Sequence, residues 1–259
     1  MRPGMILLAC LALAGCNANK PVTAETAETA ETDQPLKRMA VTASGVTQEA
    51  LVFDPTPDDA EKALWLIVPD TDTSARDVLS RGTFQAGARD DNRMLVILEV
   101  TDATTSATAE ITLASLFQEG RTDLSDVYLI GIGSGSAVVL GLAPSNYLSP
   151  RGIAVVSGEA VETPGAVPRG ITTTFLAGGA APSAVRDANE QMAAQWSAAM
   201  ACGTSVSGTA NGIRQRGYYG CKDGATVLFG IVEGFEDIGP DSNLNLSFLI
   251  DSYFKAYVR

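Results

Sequence analysis

The residues best placed to do chemistry lie in "DVYLIGIGSGSAVVLGLA", residues 126–143. An apolar run, a glycine turn and a second apolar run predict a buried strand, a tight turn and a helix. That is the outline of an elbow on which a nucleophilic serine is exposed at the edge of a sheet. The central residue of such an elbow is forced to positive φ and carries the attacking atom, and its position here falls on Gly133. Glycine has no atom to attack with. Ser134 and Ser136 flank the turn and are read as first-turn helix residues, where a hydroxyl satisfies an otherwise unpaired amide.

A serine hydroxyl is a weak nucleophile until a base takes its proton, which is why imidazole recurs beside it. The chain contains no histidine. The same absence leaves any zinc shell incomplete, so no metal is expected. "GIGSGS" also has the look of a dinucleotide-binding turn, preceded by a strand and followed by a helix. No acidic residue stands at the end of a second strand where a ribose would need it, and no cofactor is expected.

Six short, β-rich runs position this turn: "ALWLIVP" at 63–69, "RMLVILEV" at 93–100, "DVYLIGI" at 126–132, "GIAVVSG" at 152–158, "TTTFLAGG" at 172–179 and "TVLFGIVEG" at 226–234. Nearly continuous apolar strands are the signature of a parallel sheet covered on both faces. Helical periodicity lies between or after them. Val185, Met192, Trp196 and Ala199 or Met200 share one face, and Leu246, Leu249, Ile250, Tyr253 and Tyr257 form a second stripe with Ser242 as its expected cap. Both stripes read as core. The alternation predicts a single α/β domain, doubly wound around a mainly parallel sheet with right-handed crossovers.

The elbow, the helix "NEQMAAQWSAAMACG", the later "GYYGCKDGATVLFGIVEG" and the closing helix together resemble the poly(3-hydroxybutyrate) depolymerase and feruloyl esterase branch of the α/β-hydrolases, the LpqC-like esterases. The resemblance covers about residues 64–258. A tryptophan helix leading to a cysteine, and a second cysteine in a G-C-[RK]-D-G turn, are reproduced by Trp196, Cys202 and Gly220-Cys221-Lys222-Asp223-Gly224. The resemblance implies an α/β-hydrolase fold with a Ser-His-Asp site, and each part of that site departs from the pattern. Gly133 stands at the nucleophile position of G-L-S-x-G-G. Glu236 stands where a G-G-H turn carries the base, and Ala181 precedes Pro182 at the acid position. The first oxyanion segment, normally H-G, is Pro69-Asp70: proline lacks an N–H, and Asp70 places negative charge beside a developing oxyanion.

Residues 1–15 read as a lipoprotein signal peptide, with an early arginine and an apolar run too short to span a bilayer. Leu13-Ala14-Gly15-Cys16 resembles a bacterial lipobox, which makes Cys16 the expected lipid anchor; Asn17 in place of aspartate favours the outer membrane, facing the periplasm. Residues 16–38 carry Thr-Ala-Glu three times and read as a disordered tether, with the domain proper at 39–259. In an oxidising compartment the remaining pair, Cys202 and Cys221, is expected to form a disulfide. With 18 basic against 30 acidic residues the net charge is −12, and no basic patch offers itself to nucleic acid. The expectation is a membrane-anchored protein without catalysis that binds either a protein or a small acyl or hydroxy-acid-like ligand. The alternative is a serine carboxylic ester hydrolase using Ser134 as nucleophile and Glu236 as base.

Overall fold

The computed structural model describes residues 23–25, 36–43, 45–56, 62–118, 126–145, 148, 150–159, 167 and 170–258. The readings for residues 1–15 and for Cys16 lie outside the described residues. Within the segment read as a tether, strand β1 (Thr23–Glu25) pairs with β2 (Leu36–Ala43), and β2 itself opens ahead of residue 39. Leu36 is already in register with Phe53 of β3 (Val46–Phe53) and packs against the core, so the apolar pattern reaches further towards the N-terminus than Met39.

The six apolar runs form the parallel centre of the sheet: β4 (Leu64–Val68), β5 (Met94–Leu98), β6 (Val127–Ile132), β7 (Gly152–Val156), β8 (Thr172–Gly178) and β11 (Val227–Val232). Including β9 (Thr204–Ala210) and β10 (Ile213–Tyr219), the strand order is β1-β2-β3-β5-β4-β6-β7-β8-β11-β10-β9. The parallel block is therefore flanked on both sides by antiparallel strands. The β9-β10 hairpin turns at Asn211-Gly212, whose φ values are 54° and 74°. A two-residue turn with both residues at positive φ matches the twist of the strands it joins.

Helices cover both faces. Helices α3 (Ser106–Gln118), α4 (Gly135–Leu142) and α5 (Ser183–Ala199) pack on one side, and α1 (Ala75–Arg81), α2 (Phe84–Asp90) and α6 (Leu246–Tyr257) on the other. Side chains alternate between the two cores with the strand period of two. Leu64, Leu66 and Val68 of β4 enter the first, and Trp65 and Ile67 the second. This two-sided burial is why the strands read as unbroken apolar runs.

The helical stripes enter the cores, with Met192, Trp196, Met200, Leu246, Ile250 and Tyr253 all buried. The cap of α6 differs from the expected Ser242. Asn245 accepts the Phe248 N–H at 3.1 Å, while Ser242 closes an earlier turn by donating to the Gly239 carbonyl at 2.7 Å. Cys202 and Cys221 are joined by a disulfide.

Candidate functional site

The chain leaves β4, visits β5 on one side, and returns past β4 to β6 on the other. The order of the sheet therefore reverses between β4 and β6, and the crevice beyond their C-terminal ends is where open α/β sheets bind ligands. Pro69-Asp70 follows β4 and the Gly133 turn follows β6, so the topology brings these two sequence-distant segments together at that point.

The elbow is built. Gly133 has φ +55°, and its N–H donates to the Val156 carbonyl at 2.9 Å. The glycines around it are demanded by close approach. A Cβ on Gly131 would lie 2.6 Å from Ser136 Cα, where α4 crosses β6, and one on Gly135 would lie 2.1 Å from the Val68 carbonyl oxygen. These contacts account for the glycine-rich turn through packing of strand, helix and neighbouring strand end.

At Gly133, the position expected for a nucleophile, the space is already taken. A Cβ on Gly133 would lie 2.0 Å from Asp70 Oδ2, 2.6 Å from Asp70 Cγ and 3.0 Å from Asp70 Cβ. The Asp70 carboxylate thus occupies the position from which a serine side chain would start. It is held there on its other oxygen. Asp70 Oδ1 accepts from the Thr71 N–H at 2.7 Å, from Thr71 Oγ1 at 3.2 Å and from Ser134 Oγ at 2.8 Å. Hydrogen bonds to a carboxylate are the stronger kind.

Ser134 departs from its expected capping role. It starts α4 with no side-chain bond to the helix; its hydroxyl donates to Asp70 and accepts the Thr71 N–H at 3.1 Å. The donors of this strand end therefore serve an internal carboxylate. Ser136 departs too: its hydroxyl is fully buried and bonded to nothing among the described residues.

The loops of the residues expected at the acid and base positions, Ala181 and Glu236, are also brought together. Ala180, after β8, donates its N–H to the Phe235 carbonyl at 2.8 Å, and a Cβ on Gly178 would meet the carbonyl oxygens of Phe235 and Glu236 at 2.4 and 2.7 Å. The loops carrying Ala181 and Glu236 are thus in direct contact at the C-terminal edge of the sheet. Ala181 is buried and offers a methyl group; the Glu236 side chain is exposed. The Ser134 proton is committed to Asp70, which is a different partner from the Glu236 of the alternative reading.

Three residues of this end of the sheet were not singled out in the sequence. Thr71 supplies two of the hydrogen bonds to Asp70, from its N–H and its hydroxyl. Ser157, after β7, holds φ +49°, a strained conformation for a residue with a Cβ, and its buried hydroxyl has no hydrogen-bond partner among the described residues. Asn189 lies fully buried in α5 and ties the helix to the loop after β7, donating to the Gly158 carbonyl at 2.9 Å and the Val185 carbonyl at 2.8 Å. A polar residue on the apolar stripe between Val185 and Met192 is the signal that marks it.

No protein-family model matches the sequence, and no curated protein sequence matches it. Solved structures do. An arylesterase aligns with a TM-score of 0.60 at 10% identity, over 86% of this chain and 85% of that one. The chain has the α/β-hydrolase fold. An acetyl xylan esterase from Aspergillus awamori aligns with a TM-score of 0.58 at 8% identity, over 80% of this chain and 93% of that one. A predicted CIB-like hydrolase from Thermoplasma acidophilum gives 0.55 at 10% identity, over 86% and 99%. Identities this low carry the architecture and leave the chemistry to the residues.

Proposed function

We propose that this chain is a non-hydrolysing α/β-hydrolase, related to the depolymerase and feruloyl esterase branch that it resembles, held by lipid on Cys16 at the outer membrane and facing the periplasm. In this reading it works by binding, to a partner protein or to a small acyl or hydroxy-acid-like ligand. The observation that carries the reading is the Asp70 carboxylate, seated where the nucleophile's side chain would begin. A fixed negative charge there opposes an oxyanion, and its space excludes the tetrahedral centre that acyl transfer requires. The absence of histidine supports the same conclusion from the side of the base. The elbow itself is retained for packing, since Gly131 and Gly135 are needed to seat α4 against β6 and β4.

The test is turnover of short acyl esters between about pH 4 and pH 8, a range that covers both carboxylate and neutral-pH bases. The expected result is a rate in the full chain indistinguishable from that of Ser134→Ala. Turnover that disappears in Ser134→Ala would overturn the reading and restore an esterase built on Ser134. With turnover absent, a thermal-shift screen of hydroxy acids and acyl esters separates the two modes of binding. A rise in melting temperature identifies the small-ligand mode.

A further inference from the structure

We propose that Gly133, Thr71 and Ser134 form a cradle for the carboxylate of a small organic acid. In the resting chain Asp70 fills it as an internal ligand, an autoinhibitory contact that a free acid must displace. The inference rests on the reading of this crevice as non-hydrolysing, in which the Ser134 hydroxyl is available to hold an anion. It adds the chemical class of what the crevice takes.

The seat has the shape of a carboxylate before any hydrogen bond is considered. A Cβ on Gly133 would stand 2.0 Å from Asp70 Oδ2 and 2.6 Å from Asp70 Cγ, so only glycine leaves that space open. The other oxygen meets the donors. Asp70 Oδ1 accepts from the Ser134 hydroxyl at 2.8 Å and from the Thr71 N–H at 2.7 Å. Thr71 follows β4 and Ser134 follows β6, and these strands are parallel neighbours, so the grip closes between two loops far apart in the chain. Ser134 opens α4 with no side-chain bond to its own helix, which leaves its hydroxyl to the anion. Hydrogen bonds to an ionised oxygen are the stronger kind.

The occupant can be exchanged. Asp70 is half-buried, between buried Pro69 and exposed Thr71, so the seat lies where the chain comes out to solvent. Rotation about the Cα–Cβ bond of Asp70 to another staggered position carries its carboxylate out of the seat. The donors are neutral and serve an ionised oxygen of any carboxylate alike. Asp70 has the advantage of being attached: its effective concentration at the seat is high, and the apparent affinity of a free acid falls with the fraction of chains in which the seat is clear. Asp70 therefore sets how readily the crevice takes an acid.

Chemical rescue tests this in the full chain. Asp70→Ala keeps the Cβ and removes a group with the size and charge of formate; Asp70→Gly removes one the size of acetate. A ligand so small binds at best in the millimolar range, about 1–50 mM. At about pH 7 formate is ionised. Sodium formate at about 200 mM is expected to raise the melting temperature of Asp70→Ala by at least about 2 °C beyond the same concentration of sodium chloride. The wild type is expected to need at least tenfold more formate for the same shift, and Asp70→Ala combined with Ser134→Ala to lose most of it. Should Asp70→Ala fail to fold, Asp70→Gly with acetate decides on the same criteria. Equal responses to formate and chloride would overturn the proposal. So would a formate response that the wild type shares, or one that Ser134→Ala leaves unchanged. Ester turnover lost in Ser134→Ala would instead remove the non-hydrolysing reading, whereas absent turnover with no formate response removes the cradle alone.

Discussion

A serine at position 133 would be excluded twice over. The backbone there has φ +55°, where an L side chain costs about 1 kcal/mol, and its Cβ would stand 2.0 Å from Asp70 Oδ2. Adding the overlap, Gly133→Ser is expected to cost about 2–4 kcal/mol in urea unfolding. Combining it with Asp70→Gly is expected to recover about 1–3 kcal/mol of that loss, the steric part, in a double-mutant cycle. Strictly additive costs would contradict the contact. The residue types at 133, 181 and 236 and the absence of histidine could be read directly from the sequence. The seat of Asp70 was only half legible. Its charge could be read, but its direct contact with Gly133 joins segments far apart in the chain and depends on β4 lying beside β6. Ser134 misled for the same reason: as a local residue it reads as a helix cap, and a long-range carboxylate claims its hydroxyl.

Among the elements, those buried on both faces were the ones that could be read. All six parallel strands carry unbroken apolar runs, and α5 and α6 carry stripes of period 3.6. The antiparallel flank was silent in β9, exposed along its whole length, because a strand with no buried face has no alternation to show. Its one local signal is the Asn-Gly turn. The disulfide that closes this hairpin links residues 19 apart. A closed loop of that size restricts the unfolded chain by about 3 kcal/mol. Replacing both cysteines by serine is therefore expected to lower the unfolding free energy by about 3 kcal/mol, seen as a lower urea midpoint. An unchanged midpoint would mean that the hairpin contributes nothing to the cooperative core.

At the scale of the molecule, one sheet separates two cores, and each core holds one of the two tryptophans: Trp196 lies with α3, α4 and α5, and Trp65 with α1, α2 and α6. Trp65→Phe and Trp196→Phe variants therefore report the two faces separately. Their fluorescence transitions in urea are expected to coincide, after allowance for each variant's stability, because every central strand contributes to both cores. Transitions that remain apart would mean two units in place of the single domain. The whole-molecule proposal is a hydrolase architecture in which Asp70 takes the space beside Gly133 that a serine side chain would need. Intact-mass analysis after exposure to a fluorophosphonate, between about pH 4 and pH 8, tests it most directly, since such reagents trap any activated serine irrespective of substrate. No adduct is expected on the full chain. A stoichiometric adduct that is lost in Ser134→Ala would contradict it.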